Sequence, residues 1–175
     1  MRTLLPGYPR VLEAAREGRE VWREARLFGG PGRVLAFVAA GLDLLALDAP
    51  HLFLRDGGPY LGHDGRDWPD NPERFAALSW AGAAIAAEGL GDWRPEVMHV
   101  HDWQAGFAPL YLRERGGRAR SLITIHNVAF HGLADADRRA ALRLPEAGFT
   151  PEGYEFWGRI SALKAGIVWA DRIST

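Results

Sequence analysis

The chain has 175 residues, 47% of them apolar and 25% charged, and a net charge of −1. That suffices for one domain with a real core and gives no bulk electrostatic reason to bind nucleic acid or an anionic membrane. The absence of cysteine excludes disulfides and thiolate chemistry and fits a reducing cytoplasm, while the start, MRTLLPGYPRV, lacks the apolar stretch of a signal peptide, and no later run is long enough to span a bilayer.

In chain order, Leu4-Leu5 before Pro6-Gly7-Tyr8-Pro9 reads as a strand end running into a turn. Val11 to Arg19 suits a short helix. Val21 to Leu47 alternates apolar runs with the Gly29-Gly30-Pro31-Gly32 break, which predicts two or three strands joined by a tight turn. Asp48 to Pro69 is rich in Gly, Pro and Asp and reads as a long loop carrying Tyr60 and Trp68; such loops are often functional. Asp70 or Asn71 can cap a helix with Pro72 in its first turn and Phe75, Leu78, Gly82 and Ile85 on its buried face. Val97–Val100 and Leu122–Ile125 read as short buried strands. Gln104–Arg115 and Tyr154–Ala170 read as helices, the second with Phe156, Ile160, Leu163 and Ile167 on one stripe. Arg172 to Thr175 begins another strand.

Apolar strands alternating with helices predict an α/β layer around a parallel sheet, whose ligands sit beyond the carboxyl ends of the strands. Two polar clusters fall at such ends: His101-Asp102-Trp103 after one strand and His126-Asn127 after the other. If the strands are neighbours, both clusters face one crevice. Asp102 is placed to cap the helix that follows it, a role that leaves room for hydrogen bonds to sugar hydroxyls. His99 and His101 share one strand face, but Trp103-Gln104 supply no further ligands, so a metallohydrolase is the weaker reading. His126 taken alone reads as a structural histidine. Tyr60 taken alone reads as packing, although an aromatic on a loop can cover a sugar or a base. The tryptophans at positions 68, 80, 93, 103, 157 and 169 read as core or edge packing. There is no dinucleotide-binding glycine motif, P-loop or nucleophile elbow, and Pro31 spoils the one glycine-rich stretch as a phosphate cradle.

Five strings together point further. Leu47-Asp48-Ala49-Pro50-His51-Leu52-Phe53 resembles "IDAPHLY". Residues 93–106, WRPEVMHVHDWQAG, resemble "WRPDVVHAHDWHAG". Residues 124–132, TIHNVAFHG, resemble "TVHNLAYQG". GRISALKAG at 158–166 resembles "GQISFLKAG", and ADRIST at 170–175 resembles "ADHITT". In this order and spacing the chain resembles the bacterial glycogen and plant starch synthases along nearly its whole length.

The resemblance implies a retaining glycosyltransferase of the two-domain GT-B architecture, with Rossmann-like halves built on a parallel sheet with helices on both faces. This chain would be part of the N-terminal, glucan-acceptor side. The implied reaction moves glucose from ADP-glucose to the non-reducing end of an α-1,4-glucan, with no metal or other cofactor, in the cytoplasm. His126 matches a histidine that contacts the transferred glucose and Asp102 an active-site aspartate. Tyr60 matches a tyrosine implicated in sugar-nucleotide binding, and Asn127 falls among the substrate-binding residues. Gln104 stands where many members have histidine, and His131 where glutamine is usual.

The family's first strand, with its Lys-Thr-Gly-Gly-Leu loop, and the second domain, with the cations that clamp the diphosphate, are not in this stretch, so the chain alone is expected to be inactive. That strand would lie between the Leu4–Leu5 and Val97–Val100 strands, and the gap should close by an inward shift or by pairing with a second copy; self-association is the favoured expectation. The alternatives are a GT-B enzyme with a different nucleotide-sugar donor and a non-catalytic glucan-binding module.

Overall fold

A computed structural model describes residues 1–175. The chain divides into two compact units, Met1–Arg74 and Phe75–Thr175.

The first unit is built on a four-stranded sheet in the order β1-β4-β3-β2, with β1 Thr3–Pro6, β2 Arg19–Leu27, β3 Gly30–Ala39 and β4 Leu42–Asp48. Only β1 and β4 run parallel; β2, β3 and β4 form an antiparallel meander. The β2–β3 turn is Phe28-Gly29 and the β3–β4 turn is Ala40-Gly41, and φ is positive at all four residues, as two-residue hairpin turns of the primed type require. The expected glycine-rich break is therefore shorter than the sequence suggests. Gly30, Pro31 and Gly32 already belong to β3, and Gly32 lies against the Leu27 side chain with no room for a Cβ. Helix α1, Pro9–Ala14, covers one face, with Val11 and Leu12 packed on buried Ala15, Leu35 and Ala46.

After β4 comes a single helical turn, α2 Pro50–Phe53, and then the predicted long loop. Its anchor is Arg74, a fully buried arginine in the first turns of α3, Asn71–Glu88. Nε of Arg74 donates to Leu52 O at 2.7 Å, and Nη1 donates to Pro59 O at 2.9 Å and to Asn71 Oδ1 at 2.6 Å. Arg55 adds a bidentate pair with Asp70, at 2.8 and 2.7 Å. A buried cation is tolerated only when acceptors replace its hydration, and here they are carbonyls of α2 and of the loop, with the Asn71 side chain.

The second unit carries a parallel sheet in the order β10-β6-β5, with β5 Val97–His101, β6 Arg120–Thr124 and β10 Arg172–Ser174. Val100 and Ile123 point to the face covered by α4, Ala108–Glu114, and α5, Ala162–Trp169, where Ala108 and Leu163 complete the buried cluster. α5 comes close because Gly166 and Gly106 have no side chains; a Cβ on Gly166 would lie 3.2 Å from the Gly106 Cα. A small antiparallel sheet, β7-β9-β8, is formed by Leu133–Asp135, Arg159–Ser161 and Glu155–Phe156.

Two predicted helices are cut down. The first half of Gln104–Arg115 is a 3-10 turn, Trp103–Ala105, and the α-helix starts only at Ala108. The first half of Tyr154–Ala170 is the β8–β9 hairpin, turned at Trp157-Gly158 with φ of 52° and 78°. Phe156 and Ile160 share the helical spacing but lie on strands, and the helix begins where Ser161 caps the Lys164 amide. β1 pairs with β4 alone and β5 with β6 alone, so each is an edge of its sheet.

Strand β10 is tied to β6 by Asp171. Its Oδ2 accepts the Ser121 amide at 2.8 Å and the Ser121 hydroxyl at 3.0 Å, and its Oδ1 accepts from Arg120 at 3.1 Å. The Ser121 bonds, ahead of Arg120, hold this carboxyl below its ordinary value. A group whose folded-state pKa is depressed contributes stability above its unfolded-state pKa and loses it as pH falls through the folded value. The wild-type chain should therefore lose stability more steeply below about pH 4 than Asp171→Asn, which has nothing to titrate there. Urea denaturation midpoints across that range measure it, and parallel acid profiles would count against the clamp.

Candidate active site

β5 and β6 are adjacent and parallel, so the segments after them leave the sheet side by side. His101 and Thr124 are the last residues of the two strands and are paired in register. The Asp102 amide still donates to Thr124 O at 2.9 Å. The chain then turns sharply at Asp102, with φ 51° and ψ −164°, a region close to one that only glycine occupies freely and that costs on the order of 1–3 kcal/mol.

What the strain achieves is visible at the carboxylate. Oδ1 of Asp102 accepts the His126 amide at 2.7 Å and the Asn127 amide at 3.3 Å. This corrects the capping role predicted for Asp102, because the 3-10 turn that follows receives no side-chain cap. A three-residue turn presents little accumulated dipole, whereas the His126 and Asn127 amides lie just past the last ladder bond, Ile125 N to Ser174 O at 2.9 Å.

The histidines form a row on the sheet face opposite α4 and α5. Nδ1 of His101 lies 3.1 Å from Nε2 of His126, with the rings nearly parallel at 22°. His99 lies 4.4 Å from His101, centroid to centroid. Nε2 of His99 meets Thr124 Oγ1 at 2.7 Å, and that hydroxyl meets Ser174 Oγ at 2.8 Å. Burial, then the neighbouring His99 and His126, pushes the His101 pKa down, against a smaller pull from Asp102. His101 is thereby favoured in its neutral form, able to donate from one ring nitrogen and accept at the other.

Of the four predicted site residues, His126, Asp102 and Asn127 come together. Oδ1 of Asn127 accepts the Ala129 amide at 3.0 Å and bends the loop, in which Val128 and Phe130 are exposed. Tyr60 belongs to the first unit. It is 40% exposed, and its carbonyl accepts from the Trp68 amide and from Nδ2 of Asn71, both at 2.9 Å. Of the two departures from the family pattern, Gln104 lies in the 3-10 turn and His131 stacks on Phe156 at 4.3 Å. Trp157, expected to pack, is instead 89% exposed at its hairpin tip.

The family model for the starch synthase catalytic domain matches residues 1–175. The chain belongs to that family. It is 61% identical over 176 residues to the glycogen synthase of Paracoccus denitrificans, covering 100% of this chain and 38% of that protein. It is 56% identical over 177 residues to a glycogen synthase of Cereibacter sphaeroides, covering 100% of this chain and 37% of the relative. The chain thus spans a little over a third of the length of these relatives. Among solved structures, the catalytic domain of starch synthase IV from Arabidopsis thaliana, bound to ADP and acarbose, superposes with a TM-score of 0.71 over 97% of this chain and 36% of that one, at 21% identity, a likeness of fold. The Rossmann-like α/β expectation agrees with it. No helix is long and apolar enough to cross a membrane.

Sequence reasoning missed the contact between His101 and His126 and the Thr124–Ser174 hydroxyl relay. The signal was present in part: His99 and His101 alternate on one strand, but pairing them with β6 needs the register.

If Asp102 holds the loop, Asp102→Ala should expose the His126 amide to rapid exchange, whereas Asp102→Asn, which keeps an acceptor oxygen, should retain most of the protection. A hydrogen bond to a charged group is worth about 1.5–3 kcal/mol, so a slowing factor of at least about tenfold should disappear in the alanine variant. Amide exchange by NMR reads this, and an unaltered His126 amide in Asp102→Ala would show that something else holds the loop.

Proposed function

We propose that this chain forms the acceptor-side wall of the catalytic site of a glycogen synthase, which transfers glucose from ADP-glucose to the non-reducing end of an α-1,4-glucan with retention of configuration. The observation that carries this reading is the Asp102 clamp, which fixes His126 and Asn127 at the carboxyl ends of adjacent parallel strands, where α/β sheets bind ligands, in a chain belonging to the starch synthase family. The reaction proceeds in the cytoplasm and uses no metal.

His126 and Asp102 are the catalytic pair, and Asn127 and Tyr60 bind substrate. The imidazole of His126 orients a hydroxyl of the transferred glucose. Asp102, with Oδ1 engaged by the two amides, offers Oδ2 to a second hydroxyl. Loss of ADP builds negative charge that positioned cations stabilise; this chain contributes orientation, and the cations come from outside these 175 residues. Support comes from the 61% identity to a glycogen synthase and from the clamp geometry.

The test is to graft this chain into the P. denitrificans glycogen synthase in place of its own matching segment and to follow incorporation of labelled ADP-glucose into glycogen. The graft should be active, and the 175-residue chain alone should incorporate nothing. His126→Ala in the graft should lower kcat by a factor matching about 2–4 kcal/mol without loss of folding, and Gln104→His should be nearly neutral. Near wild-type turnover in His126→Ala would make His126 structural and remove the assignment. A preference for another nucleotide sugar in donor competition would replace the donor.

A further inference from the structure

We propose that His101 is a positioning residue for His126: the bond between its Nδ1 and Nε2 of His126 fixes the ring plane of His126 and couples the tautomer of that ring to the tautomer of His101. This deepens the function proposed above and rests on the role assigned there to His126.

The geometry restricts both rings. The His126 backbone is held by Asp102 at 2.7 Å, so its side chain starts from a fixed Cα, and Nε2 reaches His101 at 3.1 Å with the ring planes 22° apart. His101 is itself confined. It is the last residue of β5, in register with Thr124, and its ring lies 4.4 Å from that of His99, which is held to Thr124 Oγ1 at 2.7 Å. The Thr124 hydroxyl continues to Ser174 on β10 at 2.8 Å. The row thus ties the rings to all three strands of the parallel sheet.

One proton occupies the bond that the two rings share. If His126 donates from Nε2, its Nδ1 is an acceptor; if His101 donates from Nδ1, the Nδ1 of His126 is a donor. Either way the nitrogen left for the sugar has a set character, whereas an unpaired exposed imidazole would populate both tautomers and rotate. Partial desolvation and the neighbouring histidines lower the His101 pKa, which favours the neutral form that can take either part. Nothing in the clamp or in the strand packing requires a histidine at position 101. Its ring faces the exposed side of the sheet, away from the cluster around Val100 and Ile123.

Two measurements test this. The first needs no variant: in the ¹⁵N-labelled chain a through-bond coupling should link Nδ1 of His101 to Nε2 of His126, and the His126 ring should show one dominant tautomer. In His101→Leu the shifts should move to a tautomer mixture. The second uses the graft in the P. denitrificans enzyme. His101→Leu should lower kcat by about tenfold, the worth of one hydrogen bond, with KM for ADP-glucose little changed, and His101→Asn, which can donate or accept, should recover much of the loss. No coupling, or a single His126 tautomer surviving in His101→Leu, overturns the proposal. So does a His101→Leu graft with unchanged kcat while His126→Ala is crippled. If His126→Ala is itself fully active, the functional reading fails instead, and the coupling and tautomer data still decide whether the two rings are paired.

Discussion

One carboxylate joins the two strand ends on which the site depends. β5 and β6 are held together by their ladder only as far as Thr124; beyond it, the loop that begins at Ile125 has left the pairing with β5. Asp102 extends the junction by two residues through a short bond to the His126 amide and a longer one to Asn127. The arrangement costs backbone strain on the order of 1–3 kcal/mol and returns about 1.5–3 kcal/mol for the stronger charge-assisted bond alone. The two are of similar size, and Asp102 is held on both sides, its amide by Thr124 O of β6 and its side chain by the loop after β6. A residue held in that way is a poor place to absorb motion and a good place to set the angle of its neighbours.

The first unit solves a related problem by different means. Its long loop has many glycines and prolines and little apolar surface, so hydrophobic burial cannot order it. Arg74 substitutes a buried cation for a core, collecting the carbonyls of Leu52 and Pro59 from the two ends of the segment before Tyr60. Asn71 then holds the carbonyl of Tyr60 itself. In both units a loop carrying a proposed site residue is fixed by a charged side chain, Arg74 of α3 in the first and Asp102, just past the end of β5, in the second. Such a bond has a direction, which a greasy contact lacks, and direction is what a sugar-binding group needs.

The sequence disclosed the parallel strands because β5 and β6 are short apolar runs followed at once by polar residues, a pattern with few other meanings. It disclosed the meander, but misplaced the turn, since Gly30 and Gly32 look like turn residues while serving close packing, against His51 and Leu27 respectively. It failed at the second helix because Phe156, Ile160, Leu163 and Ile167 recur at helical spacing, yet the first two lie on separate strands of a hairpin, and the tight turn at Trp157-Gly158 that divides them leaves no mark on that spacing. The candidate site was legible as two clusters, because each follows directly on a short apolar strand, and the structure sets the two side by side. The resemblance in five strings supplied the proposed roles. The partner of the Asp102 carboxylate was not legible, because capping the next helix and clamping the neighbouring loop call for the same residue at the same position.

That ambiguity bears on how an aspartate in this motif is to be understood. Truncating Asp102 would remove an acceptor for sugar hydroxyls and would also release the backbone of His126, so loss of activity at position 102 cannot by itself assign a direct role. The two effects separate by atom: Oδ1 is engaged by the amides, and the substrate contact proposed here uses Oδ2. A side chain with one acceptor oxygen keeps the loop but offers an NH₂ group where the second oxygen stood. Asparagine therefore isolates the substrate contact and alanine removes both, and the difference between them measures what the clamp alone contributes.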